Sequence, residues 1–297
     1  MELKLQISNG SADGLITYLE NFARFRQTLL LEVDPLNKCF VAKGLLENSS
    51  AIRYSSIPFE SANINVISDS GNSDQRIRVG ILNTLDKLIK IIRRFDTYLK
   101  QDKENVVYMN IKYDNALDND KNDVLAAISI TFKTKELTMK FDCFKVTEFR
   151  YLADSVFLEH IFHVTNETRF SITPEMVKNI ISTSEIFSKK PTEDVIFFDI
   201  ENSTVSVMDK LQSTNNDGEL IGEPTYILNI ANLDSPANQV NIPILRDTFI
   251  KMFGKTDENY DVIIGYYMAS DGSTSIDRIL FESQETKTKV VISKTII

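Results

Sequence analysis

The sequence predicts an α+β protein of two similar domains, each an antiparallel sheet carrying two helices. Three observations lead there. An alternating strand that runs into a basic amphipathic helix occurs twice: Ile77, Val79 and Ile81 precede the helical run 83–100, and Val240, Ile242 and Ile244 precede Arg246–Phe253. In each half, a helix and a hairpin come before that unit and strand-like runs follow it, a repetition of pattern rather than identity. The 297 residues, 42% of them hydrophobic, suffice for two cores of ordinary size. The domains are placed at 1–150 and 168–297, with 151–167 as the connection.

Taken in order, residues 13–26 predict the first helix, because Leu15, Leu19, Phe22 and Ala23 share one face, and Ser11 is placed as its cap. A hairpin follows: Leu29, Leu31 and Val33 alternate, residues 34–37 turn, and residues 39–43 return. Further strands are expected at 51–56, 63–67 and 77–81, with a polar loop at 68–74. The second helix, 83–100, is followed by strands at 106–113, 125–133 and 137–144. The Asn- and Asp-rich stretch 114–123 reads as a solvated loop. The plan restarts at Phe170. Thr173-Pro174-Glu175 opens a helix with proline at its first position, and Met176, Val177, Ile180, Ser184 and Phe187 are assigned to its inner face. A hairpin spans 195–209, a polar loop 212–224, a strand 226–230, and the last strands fall at 260–269, 276–282 and 289–295.

Charge is distributed unevenly. Residues 83–100 carry Lys87, Lys90, Arg93, Arg94 and Lys100 against Asp86 and Asp96, a net of +3. Residues 173–190 carry +1 and 243–255 carry +2, while Arg24 and Arg26 balance Asp13 and Glu20 in the first helix. The four helices hold +6 in a chain of formal net charge −9. At about 100° per residue, Lys87, Lys90 and Arg94 fall opposite the apolar face of their helix. Arg24 lies on the polar side of the first helix, Lys178 and Lys251 opposite the core faces of theirs, and Arg246 on a flank. Such a face is what any solvated amphipathic helix presents. Its recurrence in an acidic chain suits a polyanion such as the duplex backbone, bound without sequence reading.

The ordering resembles that of the DNA sliding clamps, among them the two-domain clamps of T-even-type bacteriophages and the proliferating cell nuclear antigen. The resemblance spans nearly the whole chain. It is carried by the strand, helix and hairpin of residues 170–209, which look like the opening of a clamp domain, and by residues 79–92, which look like its second half. It implies six domains closed into a ring around duplex DNA, and two domains per chain then imply a homotrimer. It implies a noncatalytic processivity factor tethering a DNA polymerase, installed by a clamp loader, with no cofactor and of viral or phage origin. Helices would line the channel with Arg24, Lys87, Lys90, Arg93, Arg94, Lys178, Arg246 and Lys251. Partner peptides would dock beside the connection, at Phe149, Tyr151, Leu152, Phe157 and Leu158, unless these residues seal the domains together.

Other classes fit less well. Nucleotide-binding glycine patterns and the nucleophile elbow are missing, and only ten glycines are present. His160 and His163 are three apart, with no cysteine near them to complete a metal site. Cys39 and Cys143 sit in strand-like runs and read as buried, reduced thiols. Residues 1–6 lack the order of a signal peptide and no apolar run approaches a bilayer span, so a cytoplasmic protein is expected. A repeated-domain virion or tail protein is the alternative, but it has no need to collect positive charge on its helices. A single-strand binder would display aromatic residues for stacking, whereas the Phe and Tyr residues here occupy apolar-face positions.

Overall fold

The structure, a computed structural model, describes residues 1–8, 10–46, 51–71, 75–149, 152, 162–187, 194–199, 204–209, 226–229, 242–253, 258–268, 275–283 and 285–293. The chain forms two compact units, Met1–Leu45 with Tyr54–Phe157, and Leu46–Arg53 with Leu158–Ile297.

The first unit contains β1 (Glu2–Ile7), α1 (Asp13–Phe25), β2 (Leu29–Asp34), β3 (Cys39–Leu45), most of β4 (Ala51–Pro58), β5 (Ile64–Asp69), β6 (Ile77–Ile81), α2 (Leu85–Leu99), β7 (Val107–Leu117), β8 (Asp123–Lys133) and β9 (Thr138–Asp142). Its strands lie in the order β4-β3-β2-β6-β8-β7-β1-β5, with β9 also paired to β8. All these pairings with a described register are antiparallel except β6 on β8, where Ile77 faces Leu125. The alternating residues Leu3, Leu5 and Ile7, Leu29, Leu31 and Val33, and Ile77, Val79 and Ile81 all point into one core. Leu15, Leu19 and Phe22 of α1 and Leu85, Leu88, Ile92 and Phe95 of α2 close that core from the helix side, and the rings of Phe95 and Phe132 stack 5.8 Å apart.

Two elements differ from expectation. Strand β1 is not among the predicted elements, although Leu3, Leu5 and Ile7 alternate; it pairs with both β5 and β7. Half of the expected loop 114–123 is strand. After a register shift at Lys112/Tyr113 the ladder continues from Asp114 opposite Ala126 to Leu117 opposite Asp123. Backbone pairing there tolerates the polar side chains because they face solvent. Only residues 118–122 turn, closed by Asp118 Oδ1 accepting the N–H groups of Asp120 and Asn122.

The second unit holds β10 (Thr165–Ile172), α3 (Pro174–Phe187), β11 (Asp194–Asp199), β12 (Thr204–Asp209), β13 (Tyr226–Asn229), β14 (Ile242–Leu245), α4 (Arg246–Phe253), β15 (Tyr260–Met268), β16 (Ser275–Ser283) and β17 (Thr288–Ser293). Strands β10-β15-β16-β17 are neighbours in that order, and β13-β12-β11-β14 form a separate four-stranded sheet. Pro243, which has no N–H to give, sits on edge strand β14. The core is aromatic: Phe198 contacts Phe170, Phe249 and Phe281, and Phe253 contacts Tyr260 and Phe281, with ring centroids 4.8–6.4 Å apart. Arg53, from the short segment Leu46–Arg53, donates to the carbonyl of Met252 at 2.9 Å and so satisfies an orphan acceptor in the last turn of α4. The predicted loop 212–224 lies outside the described residues.

Candidate nucleic-acid interface

The basic face of the first unit is built on an antiparallel helix pair. Helix α2 buries Leu85, Leu88, Ile89, Ile91, Ile92, Phe95, Asp96 and Leu99, which leaves Lys87, Lys90, Arg93 and Arg94 exposed on the opposite side. Helix α1 buries Leu15, Ile16, Tyr18, Leu19, Phe22 and Phe25 and exposes Arg24. From Lys87 to Arg94 the strip rises about 10 Å along the helix axis, or roughly three base-pair steps of duplex.

Polar contacts tie the two helices along their length. At one end, Gln27 accepts the Asp86 N–H at 2.9 Å and donates to the Asp86 carboxylate at 3.0 Å. In the middle, Arg93 pairs with Glu20. At the other end, Asp96 Oδ1 accepts the Ala12 N–H at 2.7 Å, and Lys100 lies 2.7 Å from both Asp96 and Asp13. Lys100 and then Ser11, through hydrogen bonds, hold the Asp13 carboxyl below the usual carboxylate range. The predicted cap Ser11 accepts the Asp13 N–H at 2.9 Å. The first turn of α1 is thus completed jointly by its own flank and by a carboxylate from α2, a partnership across 84 residues that no local pattern announces. Gly14 lets α1 approach the turn Glu60–Ala62, since a Cβ there would lie 2.2 Å from the Ser61 carbonyl oxygen.

In the second unit, Lys178 on α3 and Lys251 on α4 are exposed, and Lys251 pairs with Asp247 at 2.7 Å. Arg246 requires a correction. It is 4% exposed, and its Nε donates to Ser184 Oγ at 2.7 Å. It stands on the stripe of Phe249 and Phe253, three and seven residues on, and that spacing carries it into the interior rather than onto a solvated flank.

The partner-peptide residues also need correction. Phe149 and Leu152 are 3% and 5% exposed and pack with Leu30, Leu45 and Leu82 on the first unit's own sheet. The Phe149 ring rests on Gly80, where a Cβ would come within 2.6 Å of it. These side chains anchor the chain that follows β9 and are closed to an incoming peptide. Tyr151, Phe157, Leu158 and His160 lie outside the described residues. A groove of about 340 Å³ does open in the first unit, where Leu117, Ile128 and Phe144 are 55%, 47% and 38% exposed.

The remaining candidate chemistry is sparse. Among the described residues no group of three His, Cys, Asp or Glu could hold a metal, and His163 is exposed. Cys39 and Cys143 are half-buried and not disulfide-bonded; burial, with Asp142 beside it, pushes the Cys143 thiol up to about 12. Among the described residues no helix is long and apolar enough to cross a membrane.

A helix pair on a mostly antiparallel sheet thus occurs twice in the chain. No protein-family model matches the chain, and no curated protein matches it in sequence. Solved structures do match it in fold. The proliferating cellular nuclear antigen of Entamoeba histolytica aligns with TM-score 0.58 and 10% identity over 99% of this chain and 98% of that one. The A. fulgidus PCNA bound to the C-terminal region of FEN-1 aligns with TM-score 0.56 and 11% identity over 99% and 97%. The H. pylori beta clamp bound to a DNA ligase peptide aligns with TM-score 0.54 and 13% identity over 98% of this chain and 66% of that one. The fold is therefore that of the sliding clamps, as the resemblance in the sequence implied.

Proposed function

We propose that the chain is a DNA sliding clamp, a noncatalytic ring that encircles duplex DNA and tethers a replicative polymerase. The observation that carries this reading is the helix pair α1–α2, which presents Arg24, Lys87, Lys90 and Arg94 to solvent on a clamp fold. Cations on flexible stems meet phosphates without reading bases, so contact holds the ring near the duplex while leaving it mobile. Six domains per ring make the assembly a homotrimer. Edges suited to join subunits are present: among the described residues, β9 pairs only with β8 and β13 only with β12. An unpaired edge is a template for another strand, and a closed ring hides it. Polymerase and clamp loader dock in this reading through short apolar peptides on the surface near residues 143–147, beside the exposed Phe144.

The test is retention on DNA. The native mass is measured by light scattering, and the protein, loaded by its cognate loader, is chased on circular and linearised duplex. A trimer that stays on circles and runs off linear ends is expected. A persistent monomer or dimer, or equal release from both forms, refutes the reading.

A further inference from the structure

The two helix pairs solve the same packing problem with opposite charges. In the first unit every acidic residue of α1 and α2 is used as a tie between the helices: Asp86 by Gln27, Glu20 by Arg93, Asp13 by Lys100, and Asp96 by the Ala12 N–H and Lys100. Those ties consume Arg93 and Lys100. Arg24, Lys87, Lys90 and Arg94 are left exposed with no ion pair among the described residues. In the second unit the tie between helices is made by a cation, the buried Arg246 donating to Ser184 on α3. Lys251 pairs with Asp247 within its own helix at 2.7 Å. Lys178 is exposed on α3 but is not without an interaction partner.

We infer that the phosphate contacts of this protein are made by the first unit, through Arg24, Lys87, Lys90 and Arg94, and that the helices of the second unit pass the duplex without gripping it. The inference rests on the clamp reading and deepens it by assigning the contact to one of the two units. A phosphate gains from a cation only what that cation does not already gain from a neighbouring carboxylate, and only an unpaired cation's phosphate contact displaces a condensed counterion from the DNA at no cost to an existing pair. In a ring of alternating units the duplex then meets a basic surface at every second unit. Arg93 and Lys100 are positioning residues: they hold α1 against α2 so that the four unpaired cations share one face.

The experiment is the salt dependence of binding to a fluorescein-labelled 30-base-pair duplex, followed by anisotropy from 50 to 200 mM salt. Three proteins are compared: the unchanged chain, Lys87→Glu with Lys90→Glu, and Lys178→Glu with Lys251→Glu. Each phosphate contact contributes about 0.9 to the slope of log K against log salt. The first double variant loses about two from that slope for each subunit in phosphate contact, so its affinity falls at least roughly tenfold less than that of the unchanged chain over this range. The second keeps the parent slope. Lys87→Gln with Lys90→Gln reproduces the slope loss without introducing repulsion, and circular dichroism checks that each variant is folded. Equal slope loss in both units, or loss confined to the second, overturns the inference while leaving the clamp reading intact. No salt-dependent binding by the unchanged chain overturns the inference, while the clamp reading stands or falls on retention on circular duplex.

Discussion

Replacing Asp96 by alanine tests whether the basic face depends on the ties beneath it. The side chain is 6% exposed; it accepts the N–H of Ala12, itself 1% exposed, at 2.7 Å, and pairs with Lys100 at 2.7 Å. Alanine strands a buried amide, which costs about 1–3 kcal/mol. It also removes a negative charge from the N-terminus of α1, costing about 0.3–1 kcal/mol. The Lys100 pair adds little, because that side chain is 48% exposed and retains Asp13. The total is about 1.3–4 kcal/mol, against about 0.3–1 kcal/mol for Asp96→Asn, which keeps an acceptor and loses the charge. A chain of two units does not unfold as one transition, so the assay is native-state hydrogen exchange, read separately on α1 and on β15–β17. Amides of α1 exchange about tenfold to a thousandfold faster in Asp96→Ala, and those of β15–β17 are unchanged. Exchange in α1 within threefold of the parent, or an asparagine variant as labile as alanine, refutes the assignment of Asp96 as the cap that holds the helix pair.

Two further outcomes follow from buried contacts. Phe149→Ala removes a ring packed against Leu30 and Gly80 and costs about 3–5 kcal/mol in urea unfolding of the first unit, whereas Ile128→Ala, at an exposed position, stays within about 0.5 kcal/mol; comparable values for the two would place Phe149 outside the core. Glu32→Ala strands Lys43, whose ammonium lies 2.7 Å from the Glu32 carboxylate with both side chains buried, and costs about 3–5 kcal/mol. Adding Lys43→Met restores most of that loss, because Arg76 keeps Asp34 and Arg78 keeps Asp118; a double variant as unstable as the single shows that the pair does not act as a unit.

The sequence by itself determined the two-fold repetition, the four helices and nearly every strand, because period is a local property. Ile77, Val79 and Ile81 must face one side of a strand whatever lies around them, and Leu85, Leu88 and Ile92 must share one side of a helix. The same locality placed Lys87, Lys90 and Arg94 on the solvent side of α2, where the structure has them. What only the tertiary structure decided was which polar groups are engaged. Asp96 completes a helix 84 residues away, Arg246 turns inward to Ser184, and Phe149 folds back onto Gly80. Each partner is distant in sequence, and a charge reads the same in one dimension whether it faces water, a carboxylate or a buried hydroxyl. Counting charge along the chain assigned both units a basic helix face. The hydrogen bonds separate them, because a cation's reach toward a phosphate depends on what already holds it.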